Sequence, residues 1–164
     1  MAILSALRPM SEPEYAAWLA QVVPFYAAGK TASGEWTQAH ALARSAQEYA
    51  QLLPQGLATP DNYLYTIVDA QAQAVGSLWF AAKTKFNARI AFVFDIGVLP
   101  HRQRQGHAER ALRALEDELR RLGLSGMALH VFGHDIAAQA LYAKLGFQAT
   151  NISLFKPIGA AGAG

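Results

Sequence analysis

From Arg89 to Leu99 the chain reads RIAFVFDIGVL, an almost unbroken apolar run that Pro100 ends. Its β-branched and aromatic side chains suit a strand, and its near-continuity suits a strand covered on both faces. Downstream, Ala108, Ala111, Leu112, Leu115, Leu119 and Leu122 recur at helical spacing, with a polar outer face in ERALRALEDELRR and a stop at Gly123. Met127 to Phe132 is then expected as a further strand. A buried strand, a crossover helix and a second strand require a sheet covered by helices, which restricts the chain to an α/β architecture.

The flanking segments extend that frame. Ile3 to Leu7 is expected as a short first strand. Ser11 and Glu14 have capping-box spacing, with Met10 and Tyr15 as a staple, and the helix is expected to run through Trp18 to about Tyr26, bending at Pro24. The stretch AGKTASGEW is expected as a loop. Thr37 opens a second helix that Pro54 and Gly56 close. YLYTIVD and Ala74 to Ala81 read as a hairpin. Asp135 to Leu145 is a short helix stopped by Gly146, and Phe147 to Pro157 is expected as the closing strand. The order is β-α-α-β-β-β-α-β-α-β, a mixed sheet flanked by helices, in one domain over residues 1–158. The Gly/Ala tail at 159–164 is expected to be disordered.

Composition narrows the function. The chain has 164 residues, 52% hydrophobic and 16% charged, which suits one domain with a real core. The formal net charge of +2 is too small for a dedicated nucleic-acid binder. The absence of cysteine excludes disulfides, thiolate metal sites and a cysteine nucleophile. No carboxylate–histidine cluster has metal spacing. The most apolar stretch, Tyr15 to Gly29, contains Gln21 and Pro24 and is too short to span a bilayer. MAILSALRPM lacks a basic segment before its brief apolar run, so a cytoplasmic protein is expected.

The chemistry lies between Asp95 and Leu122. The strand leaves the sheet at Pro100, a loop HRQRQGHA follows, and the helix begins near Gly106. The helix start offers unpaired N–H groups and the positive end of a dipole, and Gly106 lets backbone approach a ligand closely. Together they form an anion site suited to a pyrophosphate. Neither a Walker loop nor a GxGxxG dinucleotide loop is present.

Gln103-Arg104-Gln105-Gly106-His107-Ala108 after Val98, together with ALYAKLGF from Ala140 to Phe147, resembles the GNAT N-acetyltransferase superfamily. The first segment fits its Q/R-x-x-G-x-G/A signature and the second its A-L-Y-x-K-x-G-F segment. The two cover roughly residues 90 to 150 in the expected order.

The resemblance implies acetyl-CoA as cosubstrate. Backbone N–H groups from Gln103, Arg104, Gln105, Gly106, His107 and Ala108 would hold its pyrophosphate. The strand end at Ile96, Gly97 and Val98 would pair with the pantetheine arm as an added strand does, and an N–H near Val98 would polarise the thioester oxygen. Arg102 and Arg104 would meet phosphates. Tyr142 matches the tyrosine that protonates the departing thiolate. Asp135 stands where the superfamily usually has Asn, which puts an amide-donor contact in doubt. Asp135, Ala138 and Tyr142 share one flank of the last helix.

A base for the amine is sought in two places. His130, read on the same strand face as Phe132, falls where enzymes acting on protein N-termini carry a glutamate. Asp95 is the rival. A carboxylate within FVFDIGV needs a partner or water, and substrate ammonium or Arg89 would supply the partner. The superfamily's usual base register lies nearer Phe92, so His130 is the favoured base and Asp95 is expected to bind substrate or to pair structurally. His101, His107 and His134 read as loop residues. Trp79 and Phe80 read as sheet packing, with one of them a candidate to line the acceptor pocket, and Glu35 with Trp36 are candidate acceptor contacts. The expected activity is direct acetyl transfer from acetyl-CoA to a primary amine, a small molecule in preference. The alternatives are acetylation of protein N-termini and a non-catalytic acyl-CoA sensor. A short closing segment would also leave a sheet edge for a second subunit, which keeps a homodimer open.

Overall fold

The computed structural model describes residues 6–159. They fall into two compact units that divide between His130 and Val131. The first unit holds a five-stranded sheet in the order β1-β2-β3-β4-β5. Its strands are β1 (Leu7–Pro9), β2 (Asn62–Val68), β3 (Ala74–Lys85), β4 (Ala88–Val98) and β5 (Met127–Leu129). Neighbours from β1 to β4 are antiparallel, and β4 to β5 is parallel, joined through helix α3 (His107–Arg121). The expected GNAT-like mixed sheet with flanking helices is therefore present.

Helices α1 (Glu12–Ala32) and α2 (Gln38–Leu52) cover one face of the sheet. Trp18 of α1 and Tyr49 of α2 pack on Trp79 of β3, with Met10, Val22, Leu53 and Leu64 completing this core. On the other face the buried stripe Ala111, Leu112, Leu115 and Leu119 of α3 meets the sheet, and the Tyr65 hydroxyl of β2 donates to buried Glu118 at 3.0 Å. Arg121 closes on the same carboxylate, so this buried charge is paired.

Several boundaries differ from the sequence expectation. Of the expected first strand, Ile3 to Ser5 lies outside the described residues, and β1 begins only at Leu7. Helix α1 passes through Pro24 and continues to Ala32, taking up part of the expected loop. Burial of Trp18, Val22 and Ala27 offsets the hydrogen bond that Pro24 removes, and buried Ser45 of α2 donates to the Val23 carbonyl at 2.7 Å. β5 stops at Leu129 and not at Phe132. Its ladder to β4 covers only Ala91 to Val93, and among the described residues β5 makes no ladder beyond it. Residues 147–157 form no strand, because among the described residues nothing pairs with them. The second unit contains α4 (Ile136–Lys144), shorter than expected by its capping residues. Of the tail, 160–164 lies outside the described residues.

The capping box forms as read, and tertiary contacts extend it. Glu14 accepts from the Ser11 backbone N–H at 2.9 Å, from Arg8 at 2.5 and 2.8 Å, and from Thr66 of β2 at 2.9 Å. The Arg8 guanidinium, helped by these donors, holds the Glu14 carboxyl at about 2, against an ordinary 4.5. Because the folded value lies below the unfolded one, the stabilisation is present above pH 4.5 and lost as pH falls through about 2. Glu14→Gln is therefore expected to lower stability at neutral pH by on the order of 2 kcal/mol, after allowance for the partial exposure of the pair. Urea denaturation at pH 7 and at pH 3 checks this: the gap between variant and wild type should shrink at the lower pH.

Candidate active site

β4 carries the centre of the site, and an irregularity in it sets the geometry. Phe80 of β3 opposes Val93, but Trp79 opposes Asp95, so Phe94 is an extra residue on β4. Such a bulge reverses the alternation of side chains beyond it. Plain alternation would put Asp95 with Ala91 and Val93 on the α3 face. The bulge puts it beside Trp79, on the α1/α2 face that Phe92 also shares through its partner Ala81. The superfamily register that pointed to Phe92, and the position of Asp95, thus lie on the same face.

Asp95 is half-buried. The Trp18 indole N–H donates to its Oδ2 at 3.1 Å. Arg89 is not its partner, because that guanidinium pairs with Asp61 at 2.7 Å. Burial raises the Asp95 carboxyl above its ordinary value, and the Trp18 hydrogen bond only partly opposes this. Tyr49 feels the same charge: burial first, then Asp95, pushes its phenol upward. The result is one carboxylate in an aromatic surround, poised to hold a cation or accept a proton.

Beyond the bulge β4 is also open on one side. Its β3 ladder continues to Val98, but the β5 ladder ends at Val93. No strand therefore pairs with the second edge of Phe94 to Val98, which includes Ile96 and Gly97. An extended ligand can add there as a strand would. Gly76 of β3 lies against this segment. A Cβ at Gly76 would collide with the Gly97 carbonyl and come within 3.1 Å of Val98 Cα. Gly76 thus lets the strands close at this point, a role that no sequence motif marks. The Leu99 N–H is committed to the Val75 carbonyl.

The chain then enters a short 3₁₀ turn over Pro100–Arg102 and reaches α3. Among the described residues, the backbone N–H groups of Arg104, Gln105, Gly106, His107 and Ala108 meet no acceptor. The Gln103 N–H makes a long contact of 3.4 Å to Pro100, and its side chain donates to the Val98 carbonyl at 3.2 Å. Gly106 caps α3 with φ +80°, a left-handed conformation that favours glycine. Arg104 is also left-handed, at φ +60°. This succession of unpaired N–H groups lies at the helix start where the sequence leads one to expect an anion cradle.

Two side chains that sequence reading did not use, Asp69 and Arg110, hold this loop in shape. Arg102 is drawn to Asp69 of the β2–β3 turn at 2.6 Å, and the carboxylate also accepts from the Gln71 and Gln73 N–H groups. Its charge is therefore already balanced, whereas exposed Arg104 has no ion-pair partner among the described residues. His107 is a buried residue of the first α3 turn, not a loop residue. Arg110 donates to its Nδ1 at 2.9 Å and to the Gln105 carbonyl at 3.1 Å. Because arginine only donates, the His107 proton sits on Nε2 and is shared with Gln105 Oε1 at 3.3 Å. Burial, then Arg110 and Arg102, pushes the imidazole below its ordinary value, so it stays neutral. The signal for Arg110 was its spacing, one helical turn after Gly106.

Other candidates fall differently. His130 follows the end of β5 and is exposed, so it has no strand face to share with Phe132. Trp79 and Phe80 are buried core residues, and the Trp79 indole N–H donates to Asn62 at 2.9 Å. Glu35 pairs with Lys30 at 2.6 Å, and Trp36 stacks edge-on against Tyr26 beneath the Arg44 guanidinium. In the second unit, the Asp135 side chain caps α4 by accepting from the Ala138 N–H at 3.0 Å. Either Asn or Asp fills that role, which accounts for the departure from the usual Asn. Tyr142 is half-buried on α4, with its ring 5.4 Å from that of Phe147. Among the described residues no cluster of potential metal ligands occurs and no helix is long and apolar enough to cross a membrane.

Residues 27–147 match the acetyltransferase (GNAT) family. The uncharacterized N-acetyltransferase YycN of Bacillus subtilis is 34% identical over 152 residues, 93% of this chain and 97% of YycN. Its crystal structure superposes with a TM-score of 0.86, covering 94% of this chain and 98% of that one. The [ribosomal protein bS18]-alanine N-acetyltransferase of Escherichia coli is 42% identical over 62 residues, 38% of this chain and 42% of that enzyme. AAC(6')-Iy, solved with a CoA-S-monomethyl-acetylneamine bisubstrate analogue, shares the fold at 18% identity and a TM-score of 0.58, with 94% and 97% of the two chains covered. With the family match and these relatives, the chain belongs to the acetyltransferase (GNAT) family and is an acetyl-CoA-dependent N-acetyltransferase.

Proposed function

We propose that the acceptor is a primary amine on a small molecule, which attacks the thioester directly. The open edge of β4 supports this reading most strongly, because it ends at the N–H cradle and passes Asp95 on the α1/α2 face. The pantetheine arm pairs along Ile96 to Val98, and N–H groups from Gln103 to Ala108 receive the pyrophosphate. Asp95 holds the acceptor ammonium and takes its proton, directly or through water. His130 is the second candidate for that proton. The C–N bond forms as the C–S bond breaks, and Tyr142 returns a proton to the sulfur. That role rests on the resemblance of residues 140–147. With no cysteine in the chain, no thioester to the enzyme intervenes. The same reading carries the cytoplasmic setting expected from the sequence.

A second reading is acetylation of a protein N-terminus, favoured by the 62-residue match to the bS18-alanine enzyme. A panel of small amines and N-terminal peptides with acetyl-CoA, read by thiol release, decides between them. Turnover confined to peptides would overturn the small-molecule reading. Within the same assay, Tyr142→Phe keeps the ring beside Phe147 and removes the hydroxyl. Turnover is expected to fall by about a hundredfold with little change in CoA affinity. Unchanged turnover at saturating amine would leave Tyr142 with packing alone.

A further inference from the structure

Asp95 is not the only charge on the α1/α2 face of the sheet that lacks an opposite charge. The ladder of β2 to β3 ends with Asn62 opposite Ala81, and β3 and β4 run on together to Lys85 and Ala88. On this stretch the Lys83 ammonium lies 4.6 Å from the centre of the Phe94 ring and 5.1 Å from that of Phe92. The two rings meet edge-on at 5.0 Å, and Phe94 stacks at 4.5 Å on Trp79, the residue opposite Asp95. Lys85 reaches the same Phe92 ring at 5.8 Å. A row therefore runs from the Asp95 carboxylate across two aromatic rings to two ammonium groups.

An aromatic face compensates a cation only weakly. Nine of the chain's twelve carboxylate side chains pair with other cations. Of the other three, Asp95 accepts from Trp18, Asp135 caps α4, and Glu12 lies in the first turn of α1. Asp135 is also the one carboxylate side chain that follows His130 in the sequence. Among the described residues, neither Lys83 nor Lys85 has an ion-pair partner.

We infer that the acceptor amine also carries an anionic group, a carboxylate or a phosphate, which Lys83 binds with support from Lys85; this rests on the small-molecule reading proposed above. On that reading the cofactor arm lies along Ile96 to Val98, so the acetyl group comes to Asp95 from the C-terminal side of β4. The acceptor extends the other way. Its ammonium meets Asp95, its body lies on Phe94 and Phe92, and its anion takes charge-assisted hydrogen bonds from the lysines. An amine without the anion forfeits those bonds, and a second cation at that end is repelled.

Matched acceptors test this, with acetyl-CoA and thiol release as the readout: para-(aminomethyl)benzoate against benzylamine, and O-phosphoethanolamine against ethanolamine. At least one anionic member should exceed its neutral mate by about tenfold in kcat/KM, mostly through KM. The pair that shows the gap distinguishes carboxylate from phosphate. The gap should narrow with added salt. In variants whose far-ultraviolet circular dichroism matches wild type, Lys83→Gln should close the gap, Lys83→Arg should keep it and Lys83→Glu should reverse it. Neutral amines acetylated as well as their anionic mates, or a gap that Lys83→Gln does not narrow, overturn the inference and leave the small-molecule reading standing. If N-terminal peptides are acetylated and none of these small amines is, that reading falls and this inference falls with it.

Discussion

Asp95→Asn is expected to lose about two orders of magnitude in kcat/KM while melting at a higher temperature than the wild type. Both effects come from one environment. Burial raises the Asp95 carboxyl above its ordinary value, against the smaller opposing pull of the Trp18 N–H. The folded value therefore lies above the unfolded one. The group's contribution to stability is present below the unfolded value and is lost as pH rises through the folded one. At neutral pH the carboxyl group is therefore a cost to the fold. Asparagine removes that charge and keeps an oxygen for the Trp18 indole, so thermal unfolding should shift upward. It also removes the group proposed to hold the ammonium and accept its proton, a role worth roughly a hundredfold or more. In the wild type, turnover should fall on the acid side as Asp95 protonates, and the variant should lack that limb. His130→Gln is expected to keep most of its turnover, because the strand ends before His130 and its side chain is exposed. If instead His130→Gln is inactive and Asp95→Asn is active at saturating amine, His130 is the base. Differential scanning fluorimetry and pH–rate profiles on the two variants measure these outcomes.

Gly106→Val is expected to weaken acetyl-CoA binding by at least about a hundredfold. At φ +80° a β-branched residue is a backbone outlier, and the added Cβ would lie 2.9 Å from the Arg110 guanidinium. Arg110 orders both His107 and the Gln105 carbonyl, so displacing it disturbs the whole cradle as well as crowding the approach of the pyrophosphate. Gly106→Ala should show the same direction with a smaller loss. Isothermal titration with acetyl-CoA, on variants whose far-ultraviolet circular dichroism matches wild type, is the measurement. Equal affinities would remove the anion-site assignment. Arg104→Ala is expected to cost much less, and its effect should fade with added salt, since its charge is exposed and screened. Arg102 should act differently. Its guanidinium is tied to Asp69, so its loss would loosen the turn between β2 and β3 in addition to any phosphate contact.

Some of this protein was determined within short stretches of sequence. The capping box at Ser11 and Glu14, the amphipathic stripe of α3, the glycine that starts it and the run of free N–H groups all depend on residues a few positions apart. Hydrophobic period, caps and left-handed glycine act over that range, so the strand–loop–helix that carries the cradle could be read directly. Asp135 at the start of α4 belongs with them, for its capping bond spans one turn.

The features that give the site its chemistry were decided by tertiary structure. The bulge at Phe94 exists only relative to β3, and it moves Asp95 to the face opposite the one that simple alternation assigns. Trp18, the partner of Asp95, lies 77 positions earlier, and Arg102 finds Asp69 across 33. The ends of strands followed the same logic. β5 stopped where its ladder to β4 ended, and among the described residues 147–157 stayed unpaired despite strand-like composition, because a strand's hydrogen bonds belong to another segment. A helix satisfies its backbone from within four residues, so sequence alone located the helix at which the phosphate site is proposed. A strand satisfies its backbone across the sheet, so the site's open edge and its carboxylate became visible only once the chain had folded.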